Sequence, residues 1–163
     1  MREILFRGQT RRYGEKVRMG DGAKVPSHWV YGGVLQGIGD HSIIYGGGNA
    51  DDPSEGLSKH CVYTDTIGMF TGITDKNGKK VFEGDIIRTD NGRASAVSVV
   101  KYGNFRPKMI YKMFWNYTGQ TPKQDLHGVY CESSKEQMML FDSPTCIEVI
   151  GNIHDNPELL TEK

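Results

Sequence analysis

What this chain lacks narrows its class before anything it contains. None of its apolar runs approaches the roughly 20 residues of a membrane-spanning helix, and no charged-then-apolar segment opens it. The expectation is a soluble, cytoplasmic protein with no membrane partner. Cysteine is scarce: Cys61, Cys131 and Cys146 form an odd set without a CxxC spacing. That argues against a disulfide framework or a zinc site and predicts reduced, buried thiols. Net charge is absent too, since 20 Lys and Arg balance 20 Asp and Glu. A dedicated nucleic-acid domain is usually strongly basic.

Ligand motifs are missing as well. Gly46-Gly47-Gly48-Asn49 lacks the Lys-Ser/Thr of a phosphate loop and the helix that should follow it. Asp51-Asp52-Pro53-Ser54-Glu55 does not fit a calcium-binding EF-hand. The histidines His28, His41, His60, His127 and His154 show no metal-ligand spacing. His60 and Cys61 are adjacent, so in a strand they point to opposite faces. His127 precedes Cys131 by four residues, but the residues between read as extended, and a nucleophilic pair there is outweighed by an inert buried thiol. No metal and no cofactor are expected.

What is present in excess is glycine. Of 21 glycines, twelve lie between Gly8 and Gly56, where a usual share is about 7% of residues. At 163 residues the chain suits a single domain with a real core. Its glycine-rich, loop-rich part covers about residues 1–62, and a β-rich core covers about 63–163. Charge is segregated along it. Residues 1–39 carry seven basic groups against three acidic, and 40–66 carry one against five. Residues 88–124 hold seven against one, and 125–163 hold two against eight. A basic block is thus twice followed by an acidic one.

The stretch Tyr63 to Arg88 organises the rest. Ile67, Met69 and Thr71 alternate with Gly68, Phe70 and Gly72, and then comes Asp75-Lys76-Asn77-Gly78. Asn77-Gly78 between apolar runs predicts a hairpin with a two-residue type I′ turn. After the return strand Lys79 to Phe82, Glu83-Gly84-Asp85 predicts a sharp bend at Gly84.

Further strands are predicted at Arg2–Arg7, Trp29–Leu35, Ser42–Tyr45, Lys59–Tyr63, Ala94–Tyr102, Met109–Tyr117 and Thr145–Ile153. Met109–Tyr117 is bulky on both faces, which predicts a doubly covered strand or an interface edge. Ser133-Ser134-Lys135-Glu136 has the form of a capping box before a short helix over Gln137–Leu140. Asn156-Pro157-Glu158 reads as a second helix start. The fold class is mainly β (α+β by content), a compact barrel-like or sandwich core with one or two short helices.

The segment TGITDKNGKKVFEGDIIR, residues 71–88, closely resembles the signature of the YopX family, small proteins of phages and prophages. Ile4 to Gly8 and Trp29 to Gly32 resemble its first two elements. Glu148 to Ile153 with Asn156 to Leu159 resembles its C-terminal signature. Gln9 to His28 and Gly46 to Gly56 depart from the pattern. The resemblance implies a fold and a setting, a bacterial host cell carrying a phage or prophage, but it does not imply an activity. Asn77, Gly78, Glu83, Gly84, Asp85, Gly151 and Asn152 form the structural signature.

Asp75, Glu83 and Asp85 invite a paired-acid mechanism, but turn chemistry accounts for each of them and no partner base or nucleophile is supplied. No catalytic residue is assigned. The reading that follows is an accessory protein that self-assembles into a homo-oligomer and contacts a phage or host protein. The alternative is a single-stranded nucleic-acid module in segment 88–123, using Arg93, Lys101, Arg106, Lys108, Lys112 and Trp115. There, cations interleave with Tyr102, Phe105, Tyr111, Phe114 and Tyr117, as backbone tracking with base stacking requires.

Overall fold

The computed structural model describes residues 3–12, 27–35, 37, 39–46, 58–90, 95–105, 126–133, 137–139 and 147–161. The chain divides into two units, Met1–Gly72 and Ile73–Lys163. Among the described residues the fold is mainly β, built from antiparallel sheets that are not closed into a barrel.

In the first unit four strands form a meander: β1 (Phe6–Arg11), β2 (His28–Leu35), β3 (His41–Gly46) and β4 (Ser58–Tyr63). A short 3-10 turn, Thr64–Thr66, leads into β5 (Gly68–Thr74), which pairs with the free side of β1. The order is therefore β4-β3-β2-β1-β5. The core is small. Val30, Ile44 and Val62 have no exposed surface and pack with Val34 and Ile67. Buried Thr66 is paired within it: its Oγ1 donates to the Tyr63 carbonyl at 2.7 Å and accepts from the Gln9 amide at 2.9 Å. Buried Arg7 lies over the Trp29 ring, 4.7 Å from its centroid.

β5 runs on into the second unit, turns over residues 75–79 and returns as β6 (Lys80–Phe82). A second bend leads to β7 (Asp85–Asp90), followed by β8 (Ser95–Phe105), β9 (Leu126–Glu132), β10 (Gln137–Met139) and β11 (Ile147–Asn152). The sheet order is β10-β9-β8-β7-β11. One face carries Ile87, Val100, Cys131 and Ile147 into a core shared with Ile73 and Val81. Successive residues of a strand point to opposite faces, so the other face of β7 and β8 presents Arg88 and Val97.

Two sequence expectations are corrected here. The helix expected over Gln137–Leu140 is absent: Gln137–Met139 is a strand, with Gln137 opposite Glu132 and Met139 opposite Tyr130. So short a segment cannot repay helix nucleation, whereas the side of β9 offers it backbone partners at once. The C-terminal helix start is a four-residue 3-10 turn, Pro157–Leu160, and Asn156 makes no side-chain cap. No α-helix occurs among the described residues. The expected strand Met109–Tyr117, and Ser134–Glu136 of the capping box, lie outside them.

Candidate functional site

The residues that give the chain its signature converge in the second unit, and Asp75 is the centre of their arrangement. It is 2% exposed. Its Oδ1 accepts from the amides of Asn77 at 2.8 Å and Lys79 at 2.9 Å. Its Oδ2 accepts from the amide of Val149 at 3.0 Å. Burial pushes the carboxyl's pKa up, but the three amide donors and the charge of Lys79 outweigh it and hold the group below its ordinary value. The ionised form is thus built into the fold.

The turn around Asp75 is not the two-residue type I′ loop expected. Gly78 has φ 79°, but among the described residues none other than glycine has a positive φ, so Asn77 cannot occupy a type I′ position. The Gly78 amide donates to the Asp75 carbonyl at 3.0 Å and the Asp75 amide to the Lys79 carbonyl at 2.8 Å. This is a three-residue loop with a left-handed glycine after the turn. It prevails because the Asp75 carboxylate collects the turn amides, which a two-residue loop would leave elsewhere.

The bend at Glu83-Gly84-Asp85 forms as expected. Gly84 has φ 83°, and Asp85 Oδ2 accepts from the Phe82 amide at 2.8 Å. The Gly84 amide donates to Val100 and its carbonyl accepts from Ile153, each at 2.9 Å. Glu83 Oε1 takes a long 3.4 Å contact from the Tyr102 amide. At the other end of β11, Asn152 Oδ1 accepts from His154 at 3.0 Å and Asp155 at 2.9 Å. Gly151 is crowded: a Cβ there would fall 2.7 Å from Asn156 Oδ1 and 2.9 Å from a Leu159 methyl, so both side chains would have to shift. Asp75, Asp85 and Asn152 thus all hold backbone amides in place.

The segregated charges meet one another inside each unit. Arg12 grips Asp65 with both contacts at 2.9 Å and lies over the Tyr63 ring. In the second unit Lys101 pairs with Glu132, which raises the lysine's pKa against a smaller opposing effect of burial. Glu148 Oε2 accepts from Lys76 Nζ at 2.9 Å and lies 3.9 Å from Arg88. Of the nucleic-acid candidates, Lys101 is therefore in an ion pair, while Arg93, Arg106, Lys108, Lys112 and Trp115 lie outside the described residues. Beside Lys101, exposed Tyr102 meets the edge of the His127 ring, and His127 Nδ1 is 2.8 Å from Asn104.

Cys131 is buried in the core. His127 and Cys131 lie on one strand, about 13 Å apart at ~3.3 Å per residue, so they cannot act as a pair. Cys61 is exposed, contrary to the expected buried thiol, because it falls on the outer face of β4 while Val62 takes the core position. Cys146 lies outside the described residues. Among the described residues no three His, Cys, Asp or Glu side chains gather as a metal would need, and no helix is long and apolar enough to cross a membrane.

Sequence reasoning missed two relations: the reach of Asp75 to Val149, and Glu148 as a shared partner of Lys76 and Arg88. Neither has a local signal, since each joins segments about 60 to 74 residues apart. A family model described as YopX protein matches residues 27–161. No curated protein matches the chain.

Proposed function

The chain belongs to the YopX family, and from that premise we propose that it is a phage or prophage accessory protein acting by self-assembly and protein contact in the bacterial cytoplasm, without catalysis of its own. One observation supports the absence of catalysis. The carboxylates that stood out as candidate acids are engaged by main-chain amides: Asp75 by three of them and Asp85 by that of Phe82. A general acid or base needs a proton-exchanging oxygen within reach of a substrate, and buried Asp75 is committed to holding its turn. Light scattering behind size exclusion tests the reading. A homo-oligomer at micromolar concentration is expected; a clean monomer removes it.

The alternative, single-strand binding by segment 88–123, requires its cations to face solvent as a connected stripe. The ion pair Lys101–Glu132 counts against it. An anisotropy titration, described below, separates the two.

A further inference from the structure

One row of side chains crosses the sheet of the second unit on the face turned away from the core. Lys76 reaches Glu148 on β11, Glu148 stands opposite Arg88 on β7, and Arg88 stands opposite Val97 on β8. The row is open to solvent: the Arg88 and Glu148 side chains are 50% and 32% exposed, and Val97 is 36% exposed. Of the two adjoining rows on this face, Asp90 and Ser95 are polar and exposed, while Ile86 and Val99 on the other side are covered, Ile86 completely and Val99 in part. The open part of the face therefore runs from the Arg88 row to Asp90 and Ser95.

Within this row Arg88 and Glu148 are neighbours that do not saturate each other. At 3.9 Å they attract, yet the separation is too long for a hydrogen bond. Among the described residues the Arg88 guanidinium makes no side-chain hydrogen bond, and Glu148 accepts only at Oε2, from Lys76. A five-donor fork and a carboxylate oxygen therefore stand side by side, each with capacity left. A patch that holds a donor fork and its own matching acceptor is self-complementary. That is the requirement of an isologous contact, in which residue i meets j and j meets i. Arg is also enriched at interfaces, where apolar neighbours exclude water from it, and Val97 supplies such a neighbour.

We propose that this face is where a second copy of the chain docks, Arg88 of each copy engaging Glu148 of the other across a two-fold axis with the Val97 side chains flanking those pairs. The proposal rests on the self-assembly reading above and gives it a surface. A purely acidic or purely basic partner would leave one half of the patch unanswered, whereas a second copy answers both.

Charge reversal tests it on the full chain by sedimentation velocity and light scattering. Arg88→Glu alone and Glu148→Arg alone should each weaken association about tenfold or more, because each places like charges across the axis. An equimolar mixture of the two should associate as the unaltered protein does, since both cross-axis contacts are then between opposite charges. Arg88→Gln and Glu148→Gln, which avoid like-charge neighbours within a chain, should each weaken association less. They serve if either reversal fails to fold by circular dichroism. Association of the unaltered chain that neither variant changes overturns this surface and leaves the self-assembly reading standing. Variants that dissociate but are not restored by mixing overturn the reciprocal pairing. A monomeric unaltered chain at every concentration overturns both.

Discussion

The Asp75 carboxylate accepts a hydrogen bond from the Val149 amide at 3.0 Å, across 74 residues of sequence. With its other oxygen it holds the amides of Asn77 and Lys79, so one side chain sets the shape of a turn and fastens that turn to a distant strand. A second link, from the Lys76 amide to the Ile147 carbonyl at 2.9 Å, runs beside it. The most distinctive part of the sequence is in this way a fastening between the hairpin and β11.

Asp75→Asn keeps the size of the side chain but turns one acceptor into an NH2 donor facing an amide donor. An unsatisfied buried amide costs about 1–3 kcal/mol, and that loss is expected in urea or thermal unfolding of the variant. Asp75→Ala, which abandons all three amides, should cost more. Equal stability of the Asn variant would mean that the Val149 bond contributes nothing.

Acid should act through the same group. A carboxyl held below its ordinary value when folded contributes stability that is fully present above the ordinary value of 3.8 and disappears as pH falls through the lowered one. Unfolding free energy measured from pH 6 downward should therefore fall more shallowly in Asp75→Asn than in the unaltered chain, with the curves approaching each other at the acid end.

Gly78 has open space around its α-carbon, so only backbone strain opposes a side chain there. At φ 79°, Gly78→Val should cost about 1–3 kcal/mol, and Gly78→Asn less, because Asn tolerates the left-handed region. Thermal midpoints of the three proteins give the order directly.

Gly151 presents the opposite case. Its backbone tolerates a side chain but its surroundings do not, with Asn156 and Leu159 closer than 3.0 Å to an added Cβ. Gly151→Ala should cost about 1–3 kcal/mol of overpacking, felt first as loosening of Pro157–Leu160. Hydrogen exchange at Leu159 and Thr161, whose amides close that turn, should speed up before the rest of the second unit responds.

Sequence reading went far where information was local. Asn77-Gly78 and Glu83-Gly84-Asp85 announced their bends through residue chemistry, and alternation placed β2, β3, β4 and β8 close to where they lie. It failed where partners are distant. The bond from Asp75 to Val149, which fastens the turn to β11, has no trace near Asp75, and Gln137–Met139 became a strand because β9 was available to pair with it. The charge blocks were visible as composition. That Glu148 serves both Lys76 and Arg88 was not, because register between strands is written in no single segment.

Nucleic-acid binding has its own test. Anisotropy of a labelled single-stranded oligonucleotide across a salt series should show weak binding or none, since zero net charge gives little long-range attraction. If binding occurs, each phosphate contact contributes about 0.7 to the log–log salt slope, and replacing Arg106 and Lys108 with Ala should lower it by roughly one to two units. Submicromolar, salt-sensitive binding lost in that double variant would make nucleic acid the leading partner.

The fastening at Asp75 has a consequence for how the protein behaves in a crowded cell. β11 is the last strand of its sheet, and a terminal strand offers its outward backbone groups as a template for any other extended chain. Here the outward Ile147 carbonyl and Val149 amide are already occupied, by a turn rather than by a strand. A turn cannot be lengthened by a further copy, so growth of the sheet stops there. Loss of the Asp75 carboxylate would thus uncover a sticky margin as well as lower stability, and variants at this position should form β-rich aggregates at temperatures where the protein itself is still folded.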